Sequence, residues 1–296
     1  MSEISLVMPC YNSGKYIMET IESVLIQSFS DFEFIIVDDG STDNTKEIVL
    51  SFSDKRIKYL YQENQGVGSA LRLGCSIATG KYIARIDADD ICMYNRLEKE
   101  YNYLEKHRYC VLVSSAVIYI DAEGKKLGRS FPYLFHYQLK RNFKYGNAIA
   151  HPAVMFRKDI YEKSGGYPLL KNSQDYFLWQ KMIKYGRLRN LRIPLIKYRI
   201  LSTSISRIVE SNKDYRIMLM FLIQKMIKED SFSEEDINLY NTIHGLLKKD
   251  IQPSFTANIY VKSIEEKMYS YARKILGENI AIHIVYYIKN IYGLLK

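Results

Sequence analysis

Apolar runs begin near Ile4, Phe32, Ile57 and Tyr82, and segments with helical apolar spacing follow the first three, as with Ile17, Ile21, Val24 and Leu25. The period, roughly 25–28 residues, is that of repeated strand–helix units, so an α/β fold with a mostly parallel central sheet flanked by helices is expected. Turn chemistry agrees: Asn12-Ser13-Gly14 follows the first run and Asp39-Gly40-Ser41 the second. Ser41 or Thr42 is expected to cap the helix that runs to Phe52. After about residue 110 the pattern is mixed. Strands are expected over residues 111–120, 153–156 and 193–198, a turn over 121–124, a helix from Tyr176 to Tyr185, and helices with polar breaks from about Val209 onward.

Ligands of parallel sheets bind outside the carboxyl ends of the strands. Three polar groups fall at such ends here: Pro9-Cys10-Tyr11-Asn12, Asp38-Asp39, and Asp87 with Asp89 and Asp90. Carboxylates this close repel one another, and a divalent cation or a hydrogen-bond donor relieves the repulsion. The spacing of Asp87 and Asp89 puts both side chains on one side of an extended segment. One crevice holding a metal and a polar ligand is the simplest reading.

The 296 residues fit one large domain or a domain with an appendage. The net charge of +9 is uneven. Residues 1–124 hold 12 Lys+Arg and 19 Asp+Glu, whereas residues 125–206 hold 17 and 3, so the middle third carries +14. Nucleic acid, an anionic membrane or a phosphate-bearing substrate is the kind of partner such a stretch attracts. The four cysteines show no paired spacing, which suits a reduced, cytoplasmic protein. No basic leader precedes the first strand, and no run of about 18 apolar residues exists, so neither a signal peptide nor a membrane span is expected. The last segment, residues 280–296, is apolar on most sides. It either packs on protein, in this chain or in a second copy as a homodimer, or lies at a membrane interface.

Three blocks in order, Val7-Met8-Pro9-Cys10-Tyr11-Asn12, Ile36-Val37-Asp38-Asp39-Gly40-Ser41-Thr42-Asp43 and Gly80 through Asp90, resemble family 2 of the glycosyltransferases, the inverting enzymes of GT-A fold. Gln174-Asp175-Tyr176-Phe177-Leu178-Trp179 resembles the family's later acidic block. The resemblance spans roughly residues 3–206. It implies a GT-A domain over 1–206, with a nucleotide-binding half (1–110) and an acceptor-binding half (111–206), followed by a C-terminal helical region over 207–296. It implies transfer of a sugar, with inversion, from a nucleotide-diphosphate donor to an acceptor hydroxyl. The acceptor would be a glycan or a lipid-linked oligosaccharide of a bacterial surface polysaccharide, met in the cytoplasm or at the inner face of the cell membrane. The basic middle or the C-terminal helices would make any membrane contact.

That chemistry needs Mn²⁺ or Mg²⁺ to stabilise the charge growing on the departing diphosphate, and such hard cations prefer carboxylate and phosphate oxygens. By resemblance Asp89 is the metal ligand and Asp87 helps hold the donor, with Asp90 behind them. Asp39 would accept the N–H of a pyrimidine ring, Tyr11 would stack on that ring, and the backbone near Pro9 would complete the contact. UDP is favoured, with dTDP and GDP left open. Asp38 is expected to point away as a structural residue. Asp175 is the expected general base, since inverting transfer needs one carboxylate within reach of the acceptor hydroxyl. It stands in a cationic stretch, which is expected to depress its pKa. His151, Gln174 and Trp179 are acceptor-side candidates.

The sequence also departs from the family. Gln174 stands where Glu is more frequent. Leu71-Arg72-Leu73 replaces a common Arg-Asn pair, so Arg72 or Arg85 is the substitute phosphate contact. Tyr198-Arg199 keeps a frequent pair but Leu201 follows where histidine is frequent, which leaves Arg199 a diphosphate-facing candidate. Gly165-Gly166-Tyr167 is expected to end a helix beside the acceptor site.

Other classes fit less. A nucleotidyltransferase making nucleotide-sugars needs a Gly-rich, cationic loop after the first strand, and Asn12-Ser13-Gly14-Lys15 is too thin for one. A noncatalytic binder of anionic polymers accounts for the basic stretch but not for the carboxylates, and no nucleic-acid-binding motif is visible. A glycoside hydrolase needs two carboxylates flanking one bond and neither metal nor nucleotide.

Overall fold

The computed structural model describes residues 2–143, 147–170 and 173–201. The expected C-terminal helical region, the boundary near 206 and the segment 280–296 lie outside these residues.

The first half forms as its apolar periodicity dictates. Strands β1 (Ile4–Cys10), β2 (Phe32–Asp38), β3 (Ile57–Tyr61) and β4 (Tyr82–Arg85) alternate with helices α1 (Ile17–Leu25), α2 (Thr45–Leu50) and α3 (Val67–Ile77). These four strands are parallel, in the order β3-β2-β1-β4. Every residue of β1, β2 and β4 is buried, as continuous apolar runs require when helices cover both faces. Alternation along the strands divides the core in two. Val7, Ile35 and Val37 pack on one face with Ala70, Leu71 and Trp179. Leu6, Met8, Phe34 and Ile36 pack on the other with Ile17, Ile21 and Val24 of α1. Gly74 brings α3 down onto the sheet: a Cβ there would stand 2.5 Å from Val7 Cγ1 and 3.1 Å from Val37 Cγ2.

Beyond β4 the sheet is mixed. After β5 (Ile91–Cys92) and α4 (Arg96–Lys106) come β6 (Cys110–Ile120), β7 (Lys126–Arg129), α5 (His136–Asn142), a 3₁₀ turn (His151–Ala153), β8 (Met155–Arg157), α6 (Lys158–Lys163), α7 (Gln174–Met182) and β9 (Arg187–Arg199). The order continues from β4 through β8, β6 and β9 to β5, with β7 hydrogen-bonded to β6 alone. β8 is antiparallel to β4 and to β6, so one sheet runs through both halves. As expected, Gly165 and Gly166 (φ +81° and +70°) end α6 by donating to the carbonyls of Glu162 and Tyr161.

One capping expectation is overturned. Neither Ser41 nor Thr42 caps α2; Asp43 Oδ1 accepts from Thr45 N at 3.0 Å instead. Ser41 Oγ accepts from Asn12 N at 2.9 Å, and Thr42 N donates to Asn12 Oδ1 at 2.8 Å. Asn12 sits in the left-handed region (φ 48°), which asparagine tolerates. The two loops at the carboxyl ends of β1 and β2 are thereby tied to each other, and Ser13 N, donating to Thr45 Oγ1 at 2.8 Å, ties them to the start of α2.

Candidate active site

Asp38 ends β2 facing inward. It accepts from Ser41 N and the Tyr59 hydroxyl, both at 2.8 Å, which makes it structural as expected. Asp39 turns the other way, toward the loop before α3. Its Oδ1 accepts from Gln62 Nε2 at 2.6 Å and Gln65 N at 2.9 Å, and its Oδ2 accepts from Gly66 N at 2.8 Å. One lone pair on Oδ2 is left for a ligand N–H. Tyr11, 51% exposed, leaves its ring open beside the same loop pair. Pro9 lies within β1, paired with Val37.

At the end of β4, Asp87, Asp89 and Asp90 bring a carboxylate oxygen each within 4.8 Å of one another. Burial, and next the charge of Asp87, push the Asp89 carboxyl up to about 6. Burial and both neighbouring carboxylates hold Asp90 well above the usual carboxylate range. Asp90 Oδ1 accepts from Arg199 N at 2.8 Å, while its buried Oδ2 has no hydrogen-bond partner among the described residues. An all-oxygen set with an orphaned buried oxygen and a carboxyl whose ionisation is opposed fits a hard divalent cation.

Two arginines brace this cluster. Arg85, 4% exposed, grips Asp87 with both terminal nitrogens, Nη1 lying 2.6 Å from Oδ2. Arg85 is therefore a partner of Asp87 and not the free phosphate contact named as a substitute. Arg199 is 3% exposed. Its Nε donates to the Asp89 carbonyl at 2.8 Å, Nη1 to the carbonyls of Asp121 and Ala122, and Nη2 to Glu19 at 2.6 Å. That makes it a clamp on the backbone of Asp89, in place of the diphosphate contact the resemblance implies. Arg72 lies exposed on α3.

Asp175 opens α7. Asn147 Nδ2 donates to its Oδ2 at 2.6 Å, and His151 Nδ1 stands 3.9 Å from the same oxygen. The expected depression of its pKa is corrected: burial raises it, and the opposing contributions of the Tyr176 amide and Arg85 are smaller. Cations of the basic stretch are engaged elsewhere: Arg157 donates to the carbonyls of Cys110 and Leu104, and Lys158 to that of Ala78. A raised pKa makes Asp175 a stronger base than an ordinary aspartate.

The acceptor-side candidates divide. Trp179 is 0% exposed, its indole packed edge-on against His151 at 5.7 Å and tilted on Phe156 at 5.9 Å, so it is a core residue and not an acceptor contact. His151 is held behind Asp175, its Nε2 2.9 Å from the Tyr167 hydroxyl. Burial and then Arg85 lower its pKa well below the ordinary value, so the ring is neutral. Gln174 is 6% exposed, and its buried Oε1 has no partner among the described residues.

Several links run between these groups. Asp39 holds Gly66 at the start of α3. A Cβ on Gly68, two residues on, would lie 3.9 Å from Gln174 Cγ. Asp175 follows Gln174 and feels the charge of Arg85, which grips Asp87 beside Asp89. Asp39 and Asp89 follow the carboxyl ends of β2 and β4, and Asp175 lies in the first turn of α7 within electrostatic reach of Arg85. Sequence reasoning missed Asn147, the Tyr167 partner of His151 and the clamping roles of both arginines. Apart from Arg85 and Asp87, which are two residues apart, these pairings join residues up to 180 positions apart and leave no local pattern.

The comparisons agree with this architecture. The family model described as "Glycosyl transferase family 2" matches residues 5–165. An uncharacterized glycosyltransferase of Rickettsia prowazekii is 29% identical over 286 residues, covering 93% of this chain and 86% of its own. One of Methanocaldococcus jannaschii is 37% identical over 207 residues, covering 67% and 70%. The putative glycosyltransferase EpsE of Bacillus subtilis is 34% identical over 206 residues, covering 67% and 73%. Among solved structures, S. aureus TarS 1–349 in complex with UDP-GlcNAc superposes with a TM-score of 0.58 at 21% identity, over 76% of this chain and 66% of that one. The same fragment in complex with UDP gives 0.56. The fold is of the GT-A type. The chain belongs to glycosyltransferase family 2.

Proposed function

We propose that this protein is an inverting, metal-dependent glycosyltransferase that moves a sugar from a UDP-sugar to a hydroxyl of a glycan or lipid-linked acceptor in bacterial surface polysaccharide synthesis. The observation that carries the reading is the carboxylate cluster at the end of β4, with Asp175 across Arg85 from it. Asp89 is the direct ligand of Mn²⁺ or Mg²⁺, with Asp87 fixed by Arg85 and Asp90 by the Arg199 amide. The bound ion supplies positive charge to the departing diphosphate. Asp39 and Tyr11 take the pyrimidine, beside the backbone at Pro9, and Arg72 is the exposed cation on α3 nearest in sequence to the loop that Asp39 holds. Gln174 offers its unpartnered Oε1 on the acceptor side.

The reaction is a single displacement. The acceptor oxygen bonds to the anomeric carbon as the bond from that carbon to the diphosphate oxygen breaks, and the hydroxyl proton passes to Asp175. Attack opposite the leaving group inverts the configuration. UDP is favoured because a ring N–H suits the open lone pair of Asp39, and because the TarS neighbours were solved with UDP and UDP-GlcNAc. A thermal-shift panel of nucleoside diphosphates with Mn²⁺ or EDTA tests the reading. Stabilisation by UDP that requires Mn²⁺ is the expected result; equal shifts by every nucleotide in EDTA would remove it.

A further inference from the structure

The basic middle of the chain does not present one uniform surface. Arg157 and Lys158 turn inward to backbone carbonyls. The outward cations gather instead where β7 leads into α5, and they do so among exposed rings. Phe131 is 85% exposed, Tyr137 67% and Tyr133 52%. The Arg129 guanidinium lies 5.1 Å over the Phe131 ring, and that of the half-buried Arg189 packs 4.4 Å over the Phe135 ring. Arg129 Nη2 also reaches the Arg192 carbonyl at 3.2 Å. Between Arg129, Phe131 and Arg192 lies a cleft of about 280 Å³.

No Asp or Glu occurs in residues 125–158 or 176–201, so nothing in these segments offsets the charge. We propose that this aromatic and arginine-bearing face docks on the surface of an anionic phospholipid bilayer. Charge complementarity sets the sign of the partner. The apolar groups choose between a bilayer and a soluble polyanion. Leu127 and Ile193, 58% and 43% exposed, gain nothing from a phosphodiester chain, whereas they and the rings are stabilised at a headgroup–acyl boundary.

The placement has a consequence for transfer. The turn of the β6–β7 hairpin offers the Asp121 and Ala122 carbonyls to Arg199, which also holds Asp89. Strand β7, which carries Leu127 and Arg129 of the docking face, therefore leads back to the turn that Arg199 ties to Asp89. A lipid-linked acceptor would be met on the side of the carboxylate cluster, which rests on the function proposed above; the docking itself does not.

The test uses the full chain and phosphatidylcholine vesicles with and without phosphatidylglycerol. Binding is expected only to the anionic vesicles and is expected to weaken with salt. Arg129→Gln with Arg192→Gln should reduce partitioning by on the order of tenfold or more. A reporter covers the chance that this variant misfolds. Phe131→Trp should shift to the blue and be quenched by brominated phosphatidylglycerol, while the chain's one native tryptophan, Trp179, 0% exposed, stays unquenched. Absence of binding to anionic vesicles, binding without quenching of the residue-131 indole, or binding of RNA in place of vesicles would each overturn the proposal. Vesicle binding does not require turnover, so loss of this surface and loss of the transferase reading give different results.

Discussion

The amide nitrogen of Asn147 stands 2.6 Å from Asp175 Oδ2 and turns the carboxylate of the proposed base. Hydrogen bonding to the charged form lowers a carboxyl pKa, so this contact partly offsets the rise that burial imposes. Asn147→Ala should therefore move the acidic limb of the kcat/KM profile to higher pH. It should also lower kcat by roughly tenfold while nucleotide affinity holds. An unmoved limb would assign Asn147 to local structure alone.

Asp175→Asn keeps the shape of the side chain and removes its basicity. Turnover should fall on the order of 10²-fold or more, with UDP–Mn²⁺ affinity nearly intact by calorimetry. Full turnover in that variant would remove Asp175 as the base.

Arg85 is buried, and its pairing with Asp87 keeps one carboxylate of the cluster neutralised. Arg85→Met leaves Asp87 facing Asp89 and Asp90 without that charge. The variant should lose about 3 kcal/mol in urea unfolding measured in EDTA. Mn²⁺ should restore part of the loss by supplying the missing positive charge. Equal losses with and without Mn²⁺ would show that no cation reaches the cluster.

Far from the site, Glu33 is 3% exposed at the start of β2. Burial opposes its ionisation, but Lys58, Ser5 and Thr79 together outweigh that and bring its carboxyl down to about 2 from 4.5. A depressed carboxyl contributes stability that is present above its unfolded pKa and lost as pH falls through the folded one. Chemical-denaturation stability should thus fall between about pH 4.5 and 2, by at most about 3 kcal/mol from this residue. Glu33→Gln should be less stable at neutral pH and should flatten that dependence.

Much of this was legible from residue pattern, and the reasons are local. The runs beginning at Ile4, Phe32, Ile57 and Tyr82 become β1–β4 with those first residues; β1, β2 and β4 are buried throughout and so are written as apolar stretches, whereas β3 is a part-exposed edge strand. β7 was not legible. Lys126–Arg129 is polar and mostly exposed, an edge strand fixed by its pairing to β6 and not by its own side chains. β9 was seen only over its last part. Its first half carries arginines, and a register shift on its partner strand, between Ser115 and Ala116, leads into the Ala116–Pro194 pairing. The carboxylates at strand ends were readable because they are adjacent in sequence. What each one touches was not. Trp179, in a motif beside Asp175, looks like a ligand contact until its face of α7 is seen turned into the core. Arg199 looks like a phosphate contact until the carbonyls of Asp89, Asp121 and Ala122 converge on it.

Whether Asp89 carries the cation that a nucleotide needs is settled most directly by calorimetry of UDP binding with Mn²⁺ and with EDTA, on the native protein and on Asp89→Ala. The account predicts tight binding only for the native protein in Mn²⁺. The same affinity in all four titrations would contradict it.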